Sequence, residues 1–152
     1  MSGSNRGFWK VVLPLVVGGI LLVVLVLVFR PVARTGAVAY AQANLRRAAE
    51  AAEDLATEGS LADADRETLA TRGGVDDLLL IDPDQSSNDP EVVSVLATPG
   101  VWTGSARAET GECFWIRIAA RAGDPFGTVY GTGTDCSADE ASEAPPGAWS
   151  DP

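Results

Sequence analysis

RTGAVAYAQANLRRAAEAAEDLATE, residues 34–58, is the stretch on which the rest of the fold is built. Alanine, leucine, glutamate and arginine dominate it, and all four are good helix formers. Val38, Leu45, Ala48 or Ala49, Ala52 and Leu55 recur three and four residues apart, so one face of the predicted helix is apolar. Arg46, Arg47, Glu50, Glu53, Asp54 and Glu58 fall mostly elsewhere around it. The stripe is narrow and alanine-rich, which lets a sheet or a second helix approach closely. Gly59 is placed to end it.

Upstream, residues 11–29 read VVLPLVVGGILLVVLVLVF, with no charge among them. An apolar run of that length predicts a helix spanning a bilayer core of about 30 Å. A cleavable signal peptide has a shorter apolar stretch, and Arg30, Pro31 and Arg34 separate this one from the small-residue pattern at Ala37-Val38-Ala39. Retention as a membrane anchor is the expectation. Pro14 near its start removes helix bonds that are missing there anyway, while Pro31 is placed to bend the junction with the amphipathic part. Arg6 and Lys10 flank the run on one side and Arg30 and Arg34 on the other, so the positive-inside rule barely separates the orientations.

Charge divides the chain more sharply. Those four cations are the only charged residues before position 35, giving +4. Beyond it lie seven arginines against twenty-one acids, a net −14. Such a domain is repelled by nucleic-acid phosphates and anionic surfaces, and no nucleic-acid partner is expected. After the apolar run the chain is long enough for one domain and too short for two. Its two cysteines, Cys113 and Cys136, predict a disulfide in an oxidising compartment, with two buried thiols as the competing reading. The pair and the acidity place the C-terminal part outside the cell membrane and the N-terminus inside, as a single-pass protein.

The rest of the domain reads as strands. Residues 60–72 form a short second helix or ordered turn, with Ser60 and Asp63 as a cap and Gly73-Gly74 as its end. Residues 77–81, 92–97 and 101–106 are apolar runs bounded by turn residues. Phe114, Ile116, Ile118 and Ala120 alternate with Trp115, Arg117, Ala119 and Arg121, the pattern of an antiparallel strand with one wet face. A further short strand covers 127–131. The expected fold class is α+β: a long N-terminal helix, membrane span continuing into an amphipathic helix, packed on a small antiparallel sheet. The expected divisions are a short cytoplasmic N-terminus at 1–10, a transmembrane helix at 11–29, an extracytoplasmic domain at 30–136 and a disordered acidic tail at 137–152.

Chemistry is sparse. With no histidine, a serine or cysteine nucleophile has no usual base, and two thiolates do not complete a zinc site. Asp82, Asp84, Ser86 and Asn88 alternate as in a calcium loop, but Ser87 and Val93 stand where an EF-hand needs glycine and glutamate. Gly127 to Gly133 lacks the lysine and following helix of a phosphate loop. Asp63 and Asp65 read as capping and solvated carboxylates. No catalytic residue, metal or cofactor is assigned, and the chain is not expected to be an enzyme. Trp102, Trp115 and Tyr130 are the candidate interaction surface, since aromatics dominate binding hot spots. The competing reading puts Trp102 in the core and Trp115 over the sheet edge or the disulfide.

Two segments resemble the type IV pilins and pseudopilins. Arg6-Gly7-Phe8 directly before the apolar run is similar to the prepilin signature. Gly111-Glu112-Cys113-Phe114-Trp115-Ile116-Arg117, continuing to Gly127-Thr128-Val129-Tyr130-Gly131-Thr132-Gly133-Thr134-Asp135-Cys136, resembles the C-terminal strand pair of small Gram-positive pilin-like proteins. The resemblance implies processing by prepilin peptidase between Gly7 and Phe8. It implies other pilin-like subunits or envelope proteins as partners, with the membrane as the setting. The chain departs from the pattern at Val12, where pilins carry glutamate, and at Lys10, where they are apolar. A minor pilin fits this better than a major one. The expected function is a pilin-like, membrane-anchored structural or assembly component of a type IV pilus or type II secretion-like system. The alternative is an uncleaved single-pass protein whose extracytoplasmic domain binds another protein.

Overall fold

The computed structural model describes residues 5–121, 124–147 and 149; the side chains of 5–15, 25–34, 121 and 124–126 lie outside that description. The readings placed on Gly7, Phe8, Lys10, Val12, Pro14 and Pro31 therefore fall outside the described side chains. The chain divides into two compact units, residues 1–36 and 37–152. Helix α1, Asn5–Glu58, contributes to both.

The second unit forms around the amphipathic stretch. Ala41, Leu45, Ala48, Ala49, Ala52 and Leu55 are all buried, on the three-and-four spacing read from the sequence. The small stripe lets the sheet come close: a Cβ built on Gly104 would sit 3.2 Å from the Leu45 side chain. Gly59 follows α1 directly, its N–H bonding Leu55 O at 3.0 Å. A single 3₁₀ turn, Leu61–Asp63, carries a capping box in which Ser60 and Asp63 satisfy each other's backbone donors. Asp65 then caps α2, Arg66–Leu69, by accepting from Thr68 N–H at 2.8 Å.

Five strands follow: β1 (Leu79–Ile81), β2 (Val92–Ala97), β3 (Val101–Arg107), β4 (Cys113–Arg121) and β5 (Asp124–Gly133). They lie in the order β1-β2-β3-β4-β5, and the last helix, α3 (Ala138–Glu143), packs against β2, β3 and β4. Val93, Val95, Trp102, Ala106, Phe114, Ile116 and Ile118 join the buried stripe of α1 in one core. Ser94, Thr103, Ser105 and Trp115 belong to the opposite strand parity and are buried too.

Four expectations are corrected. Among the described residues no helix is long and apolar enough to cross a membrane, so the predicted span at 11–29 is not found. Residues 11–15 and 25–29 of that run lie outside the described side chains. The sheet is mixed rather than antiparallel, because β1 pairs with β2 in parallel, Leu79 opposite Val92. Residues 82–91 make the required crossover and return the chain to the same end of the sheet. The face of β4 expected to be wet is wet only in part: Trp115 on it is as buried as Ile116 on the other, while Arg117 and Ala119 are half-buried, since α3 packs on the sheet. Nor are residues 137–147 and 149 a disordered tail, for they supply α3 and a buried tryptophan.

Candidate functional site

The disulfide Cys113–Cys136, with Cα atoms 5.2 Å apart, ties the start of β4 to the segment leading into α3. Ser137 caps that helix by accepting from Glu140 N–H, and Ala138 N–H bonds Ser94 Oγ at 2.9 Å. At its far end the Arg117 guanidinium donates to the carbonyls of Ser142 and Ala144, where a cation suits the exposed carbonyls of a helix C-terminus. Three attachments therefore fix a helix too short to persist alone.

Beyond it the chain turns onto the outer edge of β5. Gly147 N–H donates to Tyr130 O at 3.0 Å, a main-chain bond on an edge that, among the described residues, no other strand occupies. A Cβ at Gly147 would lie 3.1 Å from Gly131 Cα, so this approach of two backbones suits glycine on both sides. Trp149 then enters a slot. Its ring meets Phe114 edge-on at 5.7 Å and Tyr130 at 4.9 Å, and the Arg46 guanidinium lies 5.4 Å from its centre. Its indole N–H donates to Gly131 O at 2.5 Å. Two edge-to-face rings, a cation over the π-face and one acceptor match the chemistry of an indole. With 8% exposure, Trp149 completes the core rather than trailing from it. A groove of about 520 Å³, lined by Val38, Glu112, Cys113, Phe114, Thr132 and Gly133, adjoins the slot through Phe114.

Of the predicted surface aromatics, only Tyr130 belongs to this site. Trp102 is fully buried, its indole N–H bonded to Ala64 O at 3.1 Å. Trp115 is fully buried as well, its ring lying against Gly131 with Arg117 5.2 Å above it. An exposed surface made of those two tryptophans is therefore ruled out by burial. The cysteines are paired as one of the two readings had it. The acidic loop uses its polar groups on the fold: Ser87 Oγ donates toward Val92 O and receives Arg107 N–H, and Ser86 Oγ accepts from Cys136 N–H. Asp82 pairs with Arg66. Among the described residues no group of three or more histidine, cysteine, aspartate or glutamate side chains is placed to hold a metal ion.

The sequence reading leaves Trp149 exposed in a disordered tail, with docking on the domain or on a partner as the competing reading, and leaves Arg46 on the charged side of α1. The signal available was Pro145-Pro146-Gly147 ahead of a lone tryptophan: a stiff, extended lead followed by the residue that tolerates a close backbone. Two arginines of this unit are paired on its surface. Arg47 reaches Asn44 Oδ1, Gly74 O and both carboxylate oxygens of Asp77, while Arg72 pairs with Glu58 at 2.6 Å. Comparison with known proteins adds nothing to this geometry: no family, no curated protein and no solved structure matches the chain.

Proposed function

We propose that the chain is a pilin-like structural or assembly subunit of the cell envelope that works by association rather than catalysis. One observation carries the reading. Val16, Val17, Ile20, Leu21, Leu22, Val23 and Val24 are each more than half exposed, an apolar surface that water covers poorly. Packing among the equivalent helices of neighbouring subunits removes that surface from water. The same order, an apolar N-terminal stretch, a helix laid on a sheet and a disulfide around the last hairpin, suits a subunit whose domain faces outward. An oxidised cysteine pair suits an extracytoplasmic site.

The test is the N-terminus and intact mass of the protein recovered from the envelope of its native host. A chain beginning at Phe8 is the expected result, and it makes prepilin processing the leading account despite Val12. A chain that still begins at Met1 or Ser2 removes the processed-pilin reading. It leaves the second reading, an uncleaved envelope protein whose domain binds another protein, which the departures at Val12 and Lys10 favour.

A further inference from the structure

We propose that the C-terminal segment carrying Gly147 and Trp149 is exchangeable, and that the β5 edge with its aromatic slot receives the same segment from a second copy of this chain. The proposal goes beyond the pilin-like reading and does not depend on it. It starts from how the segment is held. Inside the fold, Arg117 fixes the Ser142 and Ala144 carbonyls. Beyond it, among the described residues, Gly147 holds β5 through a main-chain bond and Trp149 through an indole bond. Between the two anchors stand Pro145 and Pro146, both exposed, after an extended Ala144. Two exposed prolines stiffen that lead, and a short stiff hinge between a fixed element and a docked one is the arrangement in which exchange between copies costs least.

The slot supplies the specificity. Phe114, Tyr130, Arg46 and the Gly131 carbonyl together recognise an indole. The segment of a second copy is chemically identical, so each interaction broken on opening is remade on exchange. The balance is then set by the local concentration of neighbours rather than by the strength of the docking itself. Opening alone leaves β5 as a bare edge with an empty aromatic slot beside it, a surface that invites an extended segment. Electrostatics opposes the approach of two copies, because the part of the chain beyond position 35 carries −14. Exchange therefore increases with ionic strength, as screening shortens the range of that repulsion.

Two measurements on full-length protein test this. The first titrates a synthetic peptide of residues 143–152 into the Trp149→Ala chain, whose intact disulfide and circular dichroism establish that it is folded. Saturable binding is expected, at least tenfold weaker for the same peptide carrying Trp149→Ala, and absence of binding overturns the proposal. The second mixes isotope-labelled and unlabelled wild-type chains in a detergent that covers residues 16–24 and counts mixed dimers by native mass spectrometry. Mixed dimers that grow with salt and disappear in Trp149→Ala are expected. Trp149→Phe keeps an aromatic ring but loses the donor to Gly131 O, and its dimers fall between the two. Peptide binding without mixed dimers, or mixed dimers equally abundant in Trp149→Ala, overturns exchange between copies.

Discussion

Gly131 has no room for a methyl group. A Cβ there would stand 2.0 Å from Trp115 Cζ2, and Trp115 is fully buried beneath α3 with nowhere to move. Gly131→Ala is expected to cost about 1–3 kcal/mol of stability by overpacking, read as a lowered Tm in circular dichroism. Gly100→Ala, with nothing within 4 Å of its Cβ, serves as the control and should leave Tm within a degree or two. The charged residues make a different prediction. The hydrogen bond from Arg47 holds the Asp77 carboxyl below its usual range, and Arg72 does the same for Glu58. Backbone donation from Thr68 lowers Asp65. Each folded-state pKa lies below the unfolded one, so these contacts stabilise fully above about pH 4–5 and fade as pH falls through the lowered values. All three carboxylates are exposed or nearly so, which keeps each effect small. Tm should therefore decline gently below pH 4. In Asp77→Asn the acid limb should be shallower than in wild type, and an unchanged limb would show that the Arg47 contact is not formed in solution.

The disulfide acts on a whole hairpin. Cys113 and Cys136 are 23 residues apart, and closing a loop of that size restricts the unfolded chain by about 3 kcal/mol in the chain-entropy argument. Replacing both cysteines by serine should lower Tm by roughly 10 °C in a domain of this size, and reduction of the wild type should match it. If α3 is released first, its loss would appear as a separate early transition in hydrogen exchange, since the bond holds the turn before that helix. Elements of this kind also mark where the sequence is readable. The α1 stripe, the Ser60–Asp63 cap and the bounds of β2 follow from spacing and local chemistry, and the structure repeats them. What spacing cannot reveal is which layer covers a face. The alternation in β4 looks half-wet because nothing local announces that residues 138–143, beyond the second cysteine, fold back over Trp115. The parallel β1 is hidden for the same reason, being fixed by the crossover at 82–91 and its Ser87 contacts. The role of Trp149 is illegible because its partners, Arg46 on α1 and Phe114 on β4, lie far back along the chain.

At the scale of the molecule, the two units have opposite relations to water. Residues 37–152 carry their own buried core, from Ala41 on α1 to Trp149, together with the disulfide and the capped helices. Residues 16–24 carry large apolar side chains that are more than half exposed, and nothing in the charge pattern there offsets the cost of keeping them in water. At about 25 cal/mol per Å², even partial burial of seven such side chains exceeds what a few surface ion pairs contribute. Association at low salt should therefore reside in the first unit and folding in the second. A chain lacking residues 1–36 is expected to unfold cooperatively with nearly the full-length Tm and to sediment as a monomer at low micromolar concentration and low salt. The full-length chain should self-associate unless detergent covers it. Introducing Leu21→Glu and Val24→Glu together should shift it toward monomer without changing the unfolding of the domain, because neither residue belongs to the core. Self-association that survives both changes would place the contact on the acidic domain instead, and the strap at β5 would then be the first surface to examine.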